Sequence, residues 1–388
     1  MERRLKVAHV TPAFHPAAAY GGPTESAYQL SLGLAAEGCE VRVLTTDADG
    51  LDNVLDIDTH HELPLAPRLS ARYCHRLAVH AVSPALLAAL GPLARWADVV
   101  HLNAVYNFTT FPTLLAAKAI DRPVVWSARG ALQRWKNVRR PAEKDAWEAA
   151  CRLAAPRRLT LHFTSEEERA ESARRFPAAE AVVIPNGVPL PAAIPARSPR
   201  APGDRLRLLF LGRLHPIKAI DQLLLACARV EARGVPFSLS VAGDGDPTFT
   251  ASLRSIVDRE GLGDRVTLLG AVKGEAKERL FAEADVLVLP SHSENFGIAA
   301  AEALAHALPV IASRGTPWRG LEAEGAGLWV DNDPESLAAA IARIREMPLA
   351  EMGRRGRAWV ARDFGWDRVA KDMIAVYERR IQGTRRPR

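Results

Sequence analysis

The chain has 388 residues, of which 48% are hydrophobic and 25% are charged, which is typical of a globular protein with two domains. The formal net charge of +6 admits a nucleic acid, an anionic membrane surface or a phosphorylated small molecule as partner, without choosing among them. Four scattered cysteines without a CxxC motif argue against a disulfide framework or a zinc site and favour a reducing compartment. With no signal-peptide core and no apolar run of ~18 residues, we expect a cytoplasmic protein.

The first half of the chain alternates short apolar strands with helical segments. The strand KVAHVTPAF, the helical stretch PTESAYQLSLGLAAEG and the strand EVRVLTT together predict a βαβ unit. Further strands are predicted at ADVVHLNA, RPVVWSARG, LTLHFTS and AVVIPNGV. Continuous β-branched runs are typical of parallel strands that are covered on both faces. We therefore predict a first Rossmann-like domain over residues 1–188.

A proline-rich stretch separates this half from a second alternation. Six prolines between positions 185 and 202 indicate a semi-rigid linker, which we place at 189–204. A second doubly wound domain is predicted over 205–362, with helices at 218–233, 249–261, 274–284 and 297–306 between its strands. The final segment, 363–388, predicts a helix crossing back to the first domain, followed by a basic tail. The predicted fold class is therefore α/β, with two doubly wound domains and ligands bound in the cleft at the carboxyl ends of their strands.

The stretch SHSENFGIAAAE, residues 291–302, contains two carboxylates eight positions apart. Ser291 and Glu294 have the spacing of a helix capping box. That interpretation leaves Glu302 unexplained, because a lone carboxylate among apolar neighbours is costly without a partner. We predict that the helix starts near Gly297 and that both carboxylates reach a ligand over its N-terminus. Carboxylates next to the free amides of Asn295, Phe296 and Gly297 suit a polyhydroxylated ligand such as a sugar or a ribose.

A second candidate follows the first strand of the second domain, in FLGRLHPIKAID. Arg213 and Lys218 lie five residues apart, at a strand end and at a helix start, where converging cations suit a diphosphate. Alternatively, Arg213 and Lys218 are two solvated surface charges. Taken alone, this motif slightly favours that interpretation over a diphosphate site.

Two glycine-rich turns give weaker signals. YGGPTES contains Gly21 and Gly22, which permit close approach of a phosphate, although a plain strand-to-helix turn is equally compatible. VAGDGDP contains Gly243 and Gly245. A turn is a simpler interpretation of this stretch than a metal site at its aspartates.

Histidines give less guidance. His101 and Asn103 end a buried strand and are candidate ligand contacts, with a satisfied strand-end histidine as an equal alternative. The adjacent pair His60 and His61 lies in irregular, charged sequence, where we expect it to be solvated.

Taken together, the order of YGG, IPNGV, GRLxxxK, GDG and E-x7-E resembles the retaining glycosyltransferases of family 4, which have the GT-B fold. The resemblance covers nearly the whole chain and implies transfer of a sugar from a nucleotide-diphosphate sugar, UDP- or GDP-linked, with no cofactor and no metal. It implies that Arg213 and Lys218 hold the diphosphate, that Glu294 binds the donor sugar, and that Glu302 binds the ribose. It also implies donor contacts from Gly21, Gly22, Gly243, Gly245, Val272, Lys273, Asn295, Phe296, Gly297, Ile298 and Thr316.

The sequence departs from the family at one position. Many members place a histidine at a strand end of the first domain, where this chain reads VVWSARGALQRW, with Ser127 and Arg129. We expect Ser127 on the acceptor side with His101 and Asn103, and Arg129 as the first-domain group nearest the sugar.

The resemblance implies a glycan or lipid-linked acceptor, in surface polysaccharide or glycolipid assembly. The basic stretch 129–140 would allow peripheral contact with the anionic inner face of a membrane, or be merely a solvated helix. A nucleotide-sugar epimerase of the same architecture is the alternative enzyme. A nucleic-acid-binding protein is favoured only by charge, and we expect no nucleic-acid partner because no recognition motif is found.

Overall fold

A computed structural model describes residues 4–17, 19, 21–133, 140–194, 201 and 203–382. The chain divides into two compact units. Unit 1 comprises Met1–Gly187 and Trp366–Arg388, and unit 2 comprises Val188–Gly365. Part of the predicted linker (195–200 and 202), most of the basic stretch (134–139) and the basic tail (383–388) lie outside the described residues.

The strands of unit 1 are short and largely buried. They are Lys6–Val10 (β1), Glu40–Thr46 (β2), Ala48–Asp49 (β3), Asn53–Val54 (β4), Glu62–Ala66 (β5), Leu69–Cys74 (β6), Val99–Asn103 (β7), Val124–Ser127 (β8), Leu159–Phe163 (β9) and Glu180–Val183 (β10). The main sheet has the order β10-β9-β8-β7-β1-β2-β6-β5, and β3 pairs with β4 separately. Neighbours in the main sheet are parallel except for β5 and β6, which pair antiparallel at the edge. The chain order reverses between β1 and β7, so their carboxyl ends form the switch point of this sheet.

Helices cover both faces of that sheet. They are Gly22–Ala36 (α1), Pro84–Trp96 (α2), Thr110–Ala119 (α3), Pro141–Ala154 (α4) and Glu166–Ser172 (α5), and the C-terminal helix Trp366–Gln382, which we call α12. Buried residues of α12, including Met373 and Tyr377, share one apolar core with Leu30 and Leu34 of α1 and with the sheet. The C-terminal helix is thus an integral layer of unit 1.

Unit 2 contains the strands Leu206–Leu211 (β11), Phe237–Ala242 (β12), Val266–Gly270 (β13), Val286–Leu289 (β14), Val310–Ser313 (β15) and Gly327–Val330 (β16). Its helices are Ile220–Ala232 (α6), Pro247–Arg259 (α7), Gly274–Glu283 (α8), Ile298–Ala305 (α9), Pro334–Arg345 (α10) and Leu349–Asp363 (α11). All pairings are parallel in the order β13-β12-β11-β14-β15-β16, so β11 and β14 flank the switch point. The almost wholly apolar cores on the two faces of this sheet explain the continuous hydrophobic runs in its sequence.

The structure corrects some element boundaries. The helix predicted at 218–233 begins at Ile220, and Lys218 instead ends a short 3-10 turn, Pro216–Lys218. Helices α10 and α11 were missing from the prediction, which passed from GLWV to the final helix. None of the described helices has both the length and the apolar composition that crossing a membrane needs.

Candidate functional site

A polar cluster of unit 2 lies at the switch point of its sheet. The turn after β11 carries Lys218, and the loop after β14 carries Glu294. Although they are 76 residues apart in sequence, Lys218 Nζ lies 2.5 Å from Glu294 Oε1. Their side chains are only 18% and 8% exposed, so the ion pair is formed inside the loop cluster. Two residues that the sequence assigned to one ligand are thus in direct contact.

Ser291 holds the same carboxylate from a second direction. Its Oγ donates to Glu294 Oε1 at 2.9 Å, and its own carbonyl accepts from Ser313 Oγ at the end of β15. The capping-box prediction is therefore wrong: Ser291 orients Glu294 and caps no helix. The N-cap of α9 is Gly297, which has no side-chain cap.

Gly297 occupies a position that other residues would strain. Its φ is +80°, and a Cβ would lie 2.9 Å from Leu289 Cδ2 and 3.0 Å from Trp318 Nε1. The predicted helix start near Gly297 agrees with the observed Ile298–Ala305. A helix start leaves its first amides without intrahelical acceptors, so this end of α9 offers N–H groups to an oxygen-rich ligand.

Buried aromatic residues pack against the loop between β14 and α9. Phe296 and Trp318 are 3% and 2% exposed, and Trp318 Nε1 donates to the Phe296 carbonyl at 2.7 Å. Phe364 packs against both rings. Thr316, predicted as a donor contact, is buried and donates its hydroxyl to the Ser313 carbonyl at 2.7 Å. This hydrogen bond fixes the turn next to Glu294.

Glu302 lies one turn further along α9 and has the partner that its position requires. Lys277 Nζ of α8 donates to Glu302 Oε1 at 2.6 Å. The two side chains are 28% and 17% exposed. The ion pair answers the question raised by a carboxylate in an otherwise apolar helix.

The remaining unit 2 residues differ in their exposure. Arg213 is exposed in the loop after β11. Burial, and then the charges of Arg213 and Lys218, lower the pKa of His215, which favours its neutral form beside them. Val272 and Lys273 follow β13, where Lys273 is the N-cap residue of α8. All of these loops leave the same carboxyl edge of one parallel sheet.

The two glycines of VAGDGDP have a structural explanation. A Cβ on Gly243 would lie 1.8 Å from the Gly212 carbonyl oxygen, and one on Gly245 would lie 1.9 Å from that of Leu214. Gly245 also forms an isolated parallel bridge with Leu214. The packing of the protein's own backbone therefore requires both glycines. Asp246 accepts hydrogen bonds from the Thr248 and Phe249 amides as the cap of α7.

In unit 1, buried polar side chains form a hydrogen-bonded chain at the carboxyl end of the sheet. Because the Ile184 carbonyl can only accept, His162 Nε2 donates to it at 2.8 Å, and Nδ1 accepts from Ser127 Oγ at 2.6 Å. Ser127 Oγ then accepts from His101 Nε2 at 2.8 Å, and His101 Nδ1 accepts from Tyr377 at 2.5 Å. The tautomers inferred for both histidines follow from this single terminal carbonyl.

His9 adds a second branch to the cluster. Its Nδ1 donates to Ser31 Oγ at 2.8 Å, because that hydroxyl donates to the Ala27 carbonyl. Its Nε2 accepts from Asn103 Nδ2 at 2.9 Å. Among the described atoms, the buried Asn103 Oδ1 then has no hydrogen-bond partner.

Burial sets the charge state of these histidines. It lowers the pKa of His9 and of His162 to about 3, with a smaller contribution from the Arg129 charge in each case. The pKa of His101 is held well below its usual range, also chiefly by burial. All three are neutral at neutral pH.

Arg129 lies beside this cluster in a backbone conformation with φ of +52°. Its Nη1 donates to Asn186 Oδ1, while its buried Nε has no partner within the described part of the chain. Burial lowers the guanidinium pKa to about 10, opposed by the nearby Glu168 carboxylate, so the group remains charged.

Glu168 fixes the loop that carries Arg129. It accepts from the Gly130 amide at 2.6 Å and from the Thr164 amide and hydroxyl at 2.8 Å. Burial nevertheless raises the pKa of Glu168, because desolvation outweighs these hydrogen bonds.

Gly21 has φ of +62° and precedes Gly22, the first residue of α1.

Sequence reasoning missed several of these residues. His9 in KVAHV and His162 in LTLHF are histidines within otherwise largely apolar strands, a pattern that indicates a buried polar group with a partner. Lys277 and Glu168 gave no signal, because a charge on a helix is ordinarily solvated. The exposed His61 pairs with Asp58, as expected for a solvated residue.

The chain resembles known proteins along nearly its whole length. The family description "Glycosyl transferases group 1" matches residues 195–359, and "Glycosyl transferase 4-like domain" matches residues 21–187. The D-inositol 3-phosphate glycosyltransferase of Streptomyces griseus is 30% identical, with 97% of this chain and 89% of the relative covered.

Solved structures agree on the fold. Sucrose-phosphate synthase from Thermosynechococcus elongatus superimposes with a TM-score of 0.77 at 24% identity, covering 97% of this chain and 99% of the other. Anabaena HepE in complex with UDP-glucose gives 0.68 at 18% identity, covering 97% and 100%. The family and the fold class predicted from the sequence are both confirmed, and the chain belongs to the group 1, or family 4, glycosyltransferases with two Rossmann-like domains of the GT-B type.

Proposed function

We propose that this enzyme transfers a sugar from a nucleotide-diphosphate donor to an acceptor hydroxyl with retention of the anomeric configuration. The observation that carries the proposal is the meeting of Lys218 and Glu294 at the switch point of unit 2, beside the open N-terminus of α9. A cation for the diphosphate and a carboxylate for sugar hydroxyls are the two groups such a donor needs.

The reaction breaks the bond between the anomeric carbon and the diphosphate oxygen and forms a bond to the acceptor oxygen on the same face. Negative charge develops on the departing diphosphate, where Lys218, the exposed Arg213 and the amides of α9 stabilise it. The acceptor proton passes to that leaving phosphate. No side-chain nucleophile and no metal ion has a step in this mechanism.

The ribose and the base bind along the same edge of the sheet. Glu302 accepts hydrogen bonds from the ribose hydroxyls, and the loop with Val272 and Lys273 borders the base. UDP-glucose is the first donor to test, because Anabaena HepE, which has the same fold, forms a complex with it.

Unit 1 supplies the acceptor side. Within the described residues, Asn103 Oδ1 and Arg129 Nε have no hydrogen-bond partner, and they provide an acceptor and a donor at the carboxyl ends of β7 and β8, next to Ser127 and His101. The acceptor in this proposal is a glycan or a lipid-linked glycan of surface polysaccharide or glycolipid synthesis, used at the cytoplasmic face of a membrane.

A thermal-shift screen of nucleoside diphosphates and their sugars tests the donor class. One nucleotide should raise the melting temperature well beyond the others, since a ligand at a hundred times its Kd contributes about 2.7 kcal/mol. Glu302→Ala should abolish both that shift and donor hydrolysis. Glu335→Ala, which removes a surface carboxylate paired with Arg233, is the matched control and should retain both. Equal responses to every nucleotide, or normal turnover by Glu302→Ala, would overturn the assignment.

A further inference from the structure

The ion pair between Lys277 and Glu302 is built more firmly than a surface contact. Lys277 Nζ also lies 5.9 Å from the ring centre of Phe281, one turn further along α8. Phe281 is fully buried and stacks on His306 with ring centres 4.5 Å apart. The ammonium therefore has an aromatic floor as well as a carboxylate partner.

His306 ties this floor to the helix that carries Glu302. Its Nδ1 donates to the Glu302 carbonyl at 2.7 Å, and its Nε2 lies 2.7 Å from Glu278 Oε2 of α8. Helices α8 and α9 are thus joined by a carboxylate–lysine contact and by a histidine bridge. The orientation of the Glu302 carboxylate is set from α8.

Lys277 leaves most of that carboxylate available. A carboxylate offers about four lone-pair positions on two oxygens, and Lys277 takes one position on Oε1. Oε2 and the second position of Oε1 can accept two donors side by side. The 2′- and 3′-hydroxyls of a ribose are such a pair of donors.

We propose that Lys277 is a positioning residue of the donor site: it holds the Glu302 carboxylate in the orientation that accepts the ribose diol and so makes the site select ribonucleotides over deoxyribonucleotides. This rests on the proposed function, because it assumes a nucleoside diphosphate in unit 2. Hydrogen bonds to a charged acceptor are the stronger kind, so losing their alignment should weaken ribose recognition measurably.

Calorimetric titration with UDP and GDP, and with the 2′,3′-dideoxy form of whichever binds, tests the proposal. Wild type should bind the ribonucleotide at least tenfold more tightly than the dideoxy form. Lys277→Met should weaken ribonucleotide binding about tenfold while leaving dideoxy binding nearly unchanged, so that the ratio of the two falls towards one. Lys277→Arg should restore most of the ratio. Lys371→Met removes the lysine of an exposed pair with Glu37 in unit 1 and should change nothing.

The ratio separates positioning from a general loss of structure. Equal weakening of both ligands by Lys277→Met would make the lysine a general electrostatic or structural contact and overturn the proposal. Tighter ribonucleotide binding would make it a competitor of the ribose and also overturn it. If wild type binds a nucleotide but ignores the ribose hydroxyls, the proposal fails while the donor class stands. If wild type binds neither nucleotide, the proposed function fails with it.

Discussion

The buried histidines of unit 1 make its stability sensitive to mild acid. In the folded protein, burial lowers the pKa of His9 and of His162 to about 3, against an ordinary value of 6.5. Below pH 6.5 the unfolded chain takes up a proton at each histidine and the folded protein does not. Unfolding therefore binds protons, and stability is lost as the pH falls through 6.5.

The magnitude follows from the two pKa values. Between pH 7.5 and 5.5 each histidine lowers the free energy of unfolding by about 1.4 kcal/mol, which is one pKa unit of binding. His9 and His162 together remove about 3 kcal/mol, and His101 acts in the same direction. That is a large share of the ~5–15 kcal/mol that stabilises an ordinary protein.

Arg129 and Glu168 lie beside the cluster. Arg129, which lies close enough to lower the pKa of all three histidines, stays charged throughout this pH range. Glu168 acts in the opposite direction: because burial raises its pKa, acidification protonates the folded form first and favours it. A comparison with a histidine variant removes this offset.

His162→Gln provides that comparison, because an amide does not titrate and can still donate towards the Ile184 carbonyl. Urea unfolding followed by tryptophan fluorescence at pH 7.5 and 5.5 gives the loss for each protein. The variant should lose about 1.4 kcal/mol less than wild type over this interval. An equal loss in both proteins would show that His162 is not held neutral by burial.

Three further substitutions test individual contacts. Gly245→Ala should lower the free energy of unfolding by at least ~2 kcal/mol in thermal melts and weaken nucleotide binding, because its Cβ would lie 1.9 Å from the Leu214 carbonyl oxygen. Gly263→Ala is the control and should cost little, since no atom of the described residues lies within 4 Å of the added Cβ. Tyr377→Phe should cost about 1–3 kcal/mol in urea unfolding, since it leaves His101 Nδ1 buried and unsatisfied; an unchanged midpoint would contradict the inferred tautomers. Trp318→Phe should weaken nucleotide binding in calorimetric titration, because the Phe296 carbonyl loses its hydrogen-bond donor. Unaltered affinity would show that the loop before α9 keeps its conformation without this hydrogen bond.

The sequence was sufficient to predict the architecture, because period and composition encode it directly. Buried parallel strands read as continuous apolar runs, and the loops that follow them mark the edge where ligands bind. Helices α10 and α11 were missed because they follow the last strand, where the alternation of strands and helices no longer marks the elements. The antiparallel edge strand β5 was not predicted because its sequence, ELPLA, contains a proline and no β-branched residue.

Site residues could be predicted where a local sequence motif identifies them. They could not be predicted where only the tertiary structure brings them into contact. Glu294 and Lys218 follow from local patterns, but their 2.5 Å contact depends on which strands are neighbours. Ser291 was assigned to a cap because a hydroxyl three residues before a carboxylate fits a capping box and a direct side-chain contact equally well. Lys277 could be found only by knowing that α8 packs beside α9.

The backbone contacts of Gly243 and Gly245 limit how this enzyme can diversify. Because the loops after β11 and β12 are in contact without any intervening side chain, a substitution at either glycine disturbs the turn leading to Lys218. The loop after β13 is under no such restriction, since Ala271 and Lys273 are exposed and Val272 is half-buried. We therefore expect natural or engineered changes of nucleotide preference to accumulate in that loop, while the loops after β11 and β12 remain constant in length across enzymes with different donors.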